Sequence, residues 1–199
     1  MSAAVRERKF AFSLPNILTY GRIAAIGLIV IVYALSADFT NDANARLIAA
    51  VVFLVASATD YFDGYYARKW DMGTAMGKML DPIADKMLVA VVLLILCADG
   101  TIAGWQILAP ALILCREFLV SGLRELAGGA KGVTSVTQLA KWKTTVQLVS
   151  LLLLLAGSAL GAFVIEIGLV LLWASAALTL FTGYDYFTKT MAYLTRDEA

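Results

Sequence analysis

Four aspartates at fixed intervals, Asp60, Asp63, Asp81 and Asp85, stand in the run DYFDGYYARKWDMGTAMGKMLDPIAD of an otherwise apolar chain. Acidic side chains bordering membrane helices are costly unless they meet a cation, water or a ligand. The first pair is spaced i,i+3 and the second i,i+4, so each pair projects from one face of its helix. Converging carboxylates repel one another unless cations intervene. The chain has no histidine, and a ligand set of oxygen alone suits Mg2+ or Mn2+, with Ca2+ able to occupy similar ligands. Four aspartates have room for two ions, and a two-metal site is a common solution for displacement at phosphorus. Arg68 can grip a phosphate bidentately, and Lys69, Lys78 and Lys86 add positive potential around the same mouth. A substrate carrying a pyrophosphate would suit this arrangement. Gly64, Gly73 and Gly77 clear space for a nucleotide or for a neighbouring backbone, and packing alone is an equal reason for glycine in a membrane helix. Without histidine, any proton transfer falls to carboxylate, lysine or tyrosine.

The elements that must position these residues are membrane helices. The chain of 199 residues is 61% apolar and 16% charged, with a mean hydropathy of +0.81, too hydrophobic for an ordinary soluble domain. Stretches near the ~20 residues needed to cross a bilayer recur at Ile17 to Leu35, Leu47 to Phe62, Met79 to Ala98, Trp105 to Val120, Val146 to Val164 and Ile167 to Tyr186. The expected fold is an all-α integral membrane protein of six transmembrane helices in a single domain, residues 1–199. The acidic run ends span two, turns through Trp70 to Gly77 and begins span three. Those spans are therefore expected as antiparallel neighbours whose acidic pairs converge. Pro82 is expected in the first turn of span three, where its missing N–H is not needed, which puts Asp81 at the helix mouth. A Gly161-centred turn joins the last two spans.

Orientation follows from charge. Fifteen of the sixteen basic residues thread to one side, from Arg6 to Arg196, and only Arg46 falls on the other with Asp38, Asp42, Asp99 and Glu166. The positive-inside rule then puts both termini and the acidic run in the cytoplasm. The N-terminus lacks the form of a cleaved signal peptide. Residues 1–14 read as a short interfacial helix, with basic residues for anionic headgroups and Phe10, Phe12 and Leu14 for the acyl boundary. Cys97 and Cys115 read as buried thiols used as small hydrophobes. Trp70, Trp105, Trp142 and Trp173 read mostly as belt residues near span ends.

Further polar residues interrupt the spans. Asn16, Thr19 and Arg22 form one stripe at i, i+3 and i+6 on span one, placed to bond either donor phosphates or the aspartates, while Asn16 also suits a helix start after Pro15. Arg116 lies within an apolar span, and its neighbour Glu117 offers counter-charge but is not expected to share its helix face. Asp71 reads as a solvated loop charge, and Asp185 near the end of span six has no assignment.

The central run reads D-x-x-D-G-x-x-A-R-x8-G-x-x-x-D-x-x-x-D over 26 residues. It resembles the signature of the CDP-alcohol phosphotransferase family at every fixed position. The resemblance implies an integral membrane enzyme, commonly a six-spanning homodimer, that transfers a substituted phosphate from a CDP-linked donor to an alcohol and releases CMP. It implies metal binding by Asp60, Asp63, Asp81 and Asp85, with Asp85 near the second ion and also the base that takes the acceptor's proton. It also implies that Asp60, Gly64, Ala67, Arg68, Thr74 and Gly77 line the CDP site. The opening LPNILTYGRI and the segment REFLVSGLRELAGGAKGVTSVTQLAKWKTTVQ from Arg116 resemble bacterial members that make phosphatidylglycerol phosphate. They imply CDP-diacylglycerol as donor and glycerol 3-phosphate as acceptor, in a bacterial inner membrane whose lipids are the protein's surroundings. Arg116, Arg124, Lys141 and Lys143 are then the candidates for the acceptor phosphate, the alternative being that Arg116 pairs structurally with an acid of another span. Serine, inositol phosphate or another phosphatidyl lipid are the alternative acceptors, and nucleic acid is not an expected partner. A divalent-cation transporter is a different reading of intramembrane aspartates, and the clustering of these acids at one mouth argues against it.

Overall fold

The computed structural model describes residues 14–36, 43–70, 75–126 and 138–197, and within them the side chains of 19–36, 43–59, 79–125, 139 and 142–192. Among the described residues there are six α-helices and no strand: α1 (Leu14–Ala34), α2 (Ala43–Trp70), α3 (Ala75–Ala98), α4 (Leu108–Leu126), α5 (Gln138–Leu160) and α6 (Ala162–Asp197), with a 3-10 turn at Gly104–Ile107 leading into α4. The interfacial segment expected over residues 1–14 lies outside the described residues except for Leu14, where α1 begins. Asp71 also lies outside them.

Three helical stretches are long and apolar enough to cross a membrane, Gly104–Glu125, Trp142–Leu160 and Ala162–Ala192, and Thr19–Ala34 and Ala43–Thr59 are shorter apolar helices. Large apolar side chains such as Leu35, Leu94, Phe163 and Val170 stand exposed along these helices, which is the pattern of helices solvated by lipid rather than water. The chain is a multi-pass helical membrane protein.

Residues 1–95 form one compact unit. Its helices α1 and α2 pack together, with Ile26, Ile29 and Tyr33 of α1 and Ala49, Ala50, Phe53 and Ala56 of α2 buried. The alanines on α2 let the two backbones approach, as small residues do where no hydrophobic effect drives helices together. On α3, Ala84, Leu88 and Val92 are buried at i, i+4 and i+8, one face of the helix.

Two sequence expectations change here. Helix α3 begins at Ala75, so Pro82 lies inside it rather than in its first turn. The hydrogen bond lost at Pro82 is a defect that membrane helices tolerate, and Asp81 sits well inside the helix rather than at its start. Cys115 is exposed rather than buried, and both cysteines are free. It lies on the outward stripe of α4 with exposed Leu112, Phe118 and Leu119, where a small apolar thiol meets lipid as readily as core.

Residues 96–199 form the second unit. Helices α5 and α6 make a hairpin whose only non-helical residue is Gly161, at φ +105. This conformation strains any residue with a Cβ. The Gly161 N–H donates to Gly157 O at 2.8 Å, and Val164 N–H donates to Gly161 O at 3.1 Å. The break therefore falls where the turn was expected, and it ends span five at Leu160 rather than Val164. Close approach continues along the hairpin. A Cβ on Gly157 would stand 2.4 Å from Ile165 Cγ1, and one on Gly168 would stand 2.8 Å from Leu154 Cδ2 and 3.3 Å from Leu154 N. Ser150 Oγ donates to the Gly168 carbonyl at 2.8 Å in the buried seam. Helix α4 packs on α6 and on the 3-10 turn. Trp105 and Trp173 stack with centroids 5.1 Å apart, and Trp173 Nε1 donates to Gln106 Oε1 at 2.6 Å. Buried Asp99 accepts the Thr101 N–H at 2.9 Å, so this acid closes the turn after α3.

Gly168→Ala is expected to destabilise the purified protein by about 1–3 kcal/mol through overpacking against Leu154. Gly122→Ala, with nothing within 4 Å of the added Cβ, is expected to be neutral or to stabilise by up to about 1 kcal/mol. Thermal or denaturant unfolding in detergent reads the difference, and equal effects would contradict the close α5–α6 seam.

Candidate active site

Asp81 and Asp85 project from one face of α3, and α1 meets them with two polar side chains one turn apart. Thr19 Oγ1 donates to Asp81 Oδ1. Arg22 Nη1 donates to Asp85 Oδ1 at 2.6 Å and stands 4.0 Å from Asp81 Oδ1. Of the two partners open to the polar stripe of α1, donor phosphates or aspartates, the structure joins Thr19 and Arg22 to the aspartates. The rungs advance together along both helices, 19 to 22 and 81 to 85, so α1 and α3 run in the same direction. That is the relation required of the first and third helices of an up-and-down chain.

The electrostatics are asymmetric. The Arg22 side chain is 1% exposed, whereas those of Asp81 and Asp85 are 44% and 45% exposed. A cation buried to that extent is stable only when paired, and its anions remain half open on their other sides. Two hard oxygen donors one helical turn apart and accessible from one side fit a divalent ion of the Mg2+ or Mn2+ type. The rest of the expected ligand set lies near the end of α2. Asp60, Asp63, Gly64, Ala67 and Arg68 belong to that helix and Gly77 to the first turn of α3, but their side-chain environments lie outside the described residues, as does Thr74 altogether. The side chain of Asn16 on α1 is likewise outside them.

In the second unit, Glu117 is the centre of a charged cluster. Arg116 Nη1 donates to Glu117 Oε1 at 3.1 Å, and Lys143 Nζ from α5 donates to the same oxygen. Arg116 Nη2 donates to Thr182 Oγ1 of α6 at 3.0 Å. The side chains of Arg116, Glu117 and Lys143 are 12%, 20% and 9% exposed. Arg116 Nε is buried with no hydrogen-bond partner among the described residues. Glu117 thus supplies the local counter-charge expected of it: i and i+1 residues leave the helix on different faces, and both side chains are long enough to meet beside it. Arg124 is exposed near the end of α4, and the side chain of Lys141 is outside the described residues.

Two participants escaped the sequence reading, Glu117 as a bridge between α4 and α5, and Thr182 as the α6 partner of Arg116. The available signal was Thr182-Gly183 within an apolar helix. A Cβ on Gly183 would stand 2.8 Å from Arg116 Cγ, so the glycine makes room for the arginine. Asp185 now has a structural partner: Lys189 Nζ donates to it at 2.7 Å, one turn along α6.

The fold defines a multi-pass helical membrane protein, and Asp81 and Asp85 form a half-exposed carboxylate pair on it. The chain belongs to the CDP-alcohol phosphatidyltransferase family, whose model matches residues 12–181. It is 45% identical over 184 residues to a protein of Rickettsia bellii, covering 91% of this chain and 97% of that protein. It is 36% identical to a protein of Cereibacter sphaeroides, covering 94% of this chain and 99% of that one, and 36% identical to one of Bacillus subtilis, covering 89% and 95%. All three relatives are named CDP-diacylglycerol–glycerol-3-phosphate 3-phosphatidyltransferase.

Glu117→Gln is expected to cost about 3 kcal/mol of stability, because two largely buried cations lose their shared carboxylate. Adding Lys143→Met is expected to recover part of that loss. Unfolding of the single and double variants in detergent checks the coupling, and simple additivity would contradict it.

Proposed function

We propose that this chain transfers a phosphatidyl group from CDP-diacylglycerol to glycerol 3-phosphate, giving phosphatidylglycerol phosphate and CMP. The observation that carries this reading is the pair Asp81 and Asp85, held on one face of α3 in a chain that aligns over most of its length with relatives named for this reaction.

The acceptor hydroxyl oxygen forms a bond to the phosphorus that carries the diacylglycerol. The bond from that phosphorus to the bridging oxygen breaks, its electron pair leaves with CMP, and the acceptor proton passes to Asp85. Asp60, Asp63, Asp81 and Asp85 are the proposed ligands of two Mg2+ or Mn2+ ions, with Asp85 near the second. When bound, the ions offset the negative charge growing between attacking and leaving oxygens. A carboxylate beside cations is a weak base, so Asp85 serves by position more than by basicity. Asp60, Gly64, Ala67, Arg68, Thr74 and Gly77 are the proposed lining of the CDP site, with Arg68 on its phosphates.

Arg116 and Lys143, with Arg124 and Lys141, are the proposed group for the acceptor phosphate. This is supported by the buried Arg116 Nε without an acceptor and by the sharing of one carboxylate between two cations. A dianionic phosphate would complete that cluster. The same reading gives the protein six spans, both termini and the site in the cytoplasm, a bacterial inner membrane and a homodimeric state.

The test is CMP release by the purified protein from CDP-diacylglycerol with Mg2+ and a panel of alcohols. Release is expected with glycerol 3-phosphate, and release only with another alcohol would overturn the acceptor. Asp85→Asn is expected to keep donor binding while turnover falls at least about 100-fold. Lys143→Met is expected to raise KM for glycerol 3-phosphate about tenfold with little change for CDP-diacylglycerol, and equal changes for the two substrates would contradict the acceptor-phosphate role.

A further inference from the structure

Helix α6 carries hydroxyls in one line. Ser175, Thr179, Thr182, Tyr186 and Thr190 follow at i, i+4, i+7, i+11 and i+15, which is one face of a helix. In a membrane helix a buried polar group without a partner is costly, and a serine or threonine can meet that cost by bonding back to its own helix. Thr182 does so, to Leu178 O at 2.9 Å and Thr179 O at 3.1 Å, and Thr190 does so to Tyr186 O at 2.8 Å. Ser175 and Thr179 do not. Both are 0% exposed, and neither hydroxyl has a hydrogen-bond partner among the described residues. The Tyr186 hydroxyl is likewise buried without one.

Thr179 and Tyr186 bracket the point where an arginine meets α6. Arg116 Nη2 donates to Thr182 Oγ1 at 3.0 Å, and Thr179 and Tyr186 lie at i−3 and i+4 from Thr182 on the same face. A long side chain on a helix leans toward the helix N-terminus, which brings the Tyr186 hydroxyl back toward the level of Thr182. Arg116 Nε is a third buried polar atom without a partner among the described residues. The arginine lies in the space left by Gly183, where a Cβ would stand 2.9 Å from that same Nε. Buried polar atoms are almost always paired. Two hydroxyls and a guanidinium N–H left open around one contact therefore suit a small ligand that brings both charge and hydroxyl.

We infer that Thr179 and Tyr186 are specificity residues of the acceptor site. Their hydroxyls take the acceptor's second hydroxyl, the one that does not attack phosphorus, while Arg116 takes its phosphate. This inference rests on the reading of Arg116 and Lys143 as part of the acceptor-phosphate group. A hydroxyl both donates and accepts, so one hydroxyl of the ligand can serve both side chains. A site built to bond a hydroxyl rejects an analogue that lacks it, because the site's own buried groups are then left unpaired. The acceptor selected is thus a phosphorylated polyol rather than a phosphorylated simple alcohol.

The experiment uses full-length protein in detergent with CDP-diacylglycerol and Mg2+. It compares kcat/KM for glycerol 3-phosphate with that for 3-hydroxypropyl phosphate, which lacks only the middle hydroxyl. The parent is expected to prefer glycerol 3-phosphate about 100-fold. Thr179→Val combined with Tyr186→Phe is expected to cut the preference below about tenfold, through loss on glycerol 3-phosphate alone and with KM for CDP-diacylglycerol unchanged. Each single variant is expected at about 30-fold, and the singles serve if the double variant does not fold. Thr179→Ser, which keeps the hydroxyl, is expected to keep the parent's preference. Ser175→Ala is expected to keep it too, because Ser175 lies ~10 Å along α6 from Thr182, beyond a three-carbon molecule held by Arg116. A parent with no preference overturns the inference. So do variants that lose activity equally on both acceptors, the result if these hydroxyls only hold internal water or support the fold. No CMP release by the parent with either phosphate would instead overturn the acceptor reading on which the inference stands.

Discussion

A cation shut away from water governs the first half of this molecule. Arg22 is almost wholly buried on a helix that otherwise faces apolar neighbours and lipid, and such a charge persists only where an anion is brought to it. Asp85 and Asp81 are those anions, and meeting them fixes three things at once: the rotation of α3 about its axis, its register against α1, and the common direction of the two helices. The packing of α1 on α2 is apolar, with Tyr33 and Phe53 buried among alanine and aliphatic side chains, and apolar contact is not directional. The ion pair is directional. Geometry useful for chemistry is thus set by the most expensive group in the unit, and the half-open faces of the two aspartates are what that geometry leaves accessible.

The second unit repeats the logic with different parts. Glu117 takes Arg116 from its own helix and Lys143 from α5, while Thr182 ties Arg116 to α6. One carboxylate thereby gathers three helices, and Gly183 makes room for the arginine. The α5–α6 hairpin supplies the rigid support. Its glycines bring two backbones so close that added methyl groups would collide, and its turn uses a single left-handed residue. Polar contacts specify the helix faces, and small residues set the spacing.

Much of this was legible in the sequence, and the exceptions have physical causes. The helical class followed from apolar stretches of spanning length, and the position of the last turn followed from Gly161. The i,i+4 spacing of Asp81 and Asp85 placed both on one face, and the stripe through Thr19 and Arg22 pointed to them as one of two partners. Sequence could not choose between aspartate and ligand phosphate for that stripe, because either satisfies a hydroxyl and a guanidinium. Pro82 misled because proline usually marks a helix start in water, whereas a membrane helix can continue through it. Glu117 was legible as the counter-charge of Arg116, and its bridge to Lys143 was not, because sequence alone does not set which face of α5 meets α4. The role of Thr182 was hidden because its hydroxyl also bonds back to its own helix, as any threonine in an apolar helix can.

The central claim is that the acceptor hydroxyl attacks the lipid-linked phosphorus, and isotope tracing reads it most directly. Glycerol 3-phosphate labelled with oxygen-18 in its attacking hydroxyl would be supplied with CDP-diacylglycerol and Mg2+, and both products analysed by mass spectrometry. The expected result is oxygen-18 in phosphatidylglycerol phosphate and none in CMP. Label in a cytidine-containing product, or CMP formed with no labelled lipid, would contradict it.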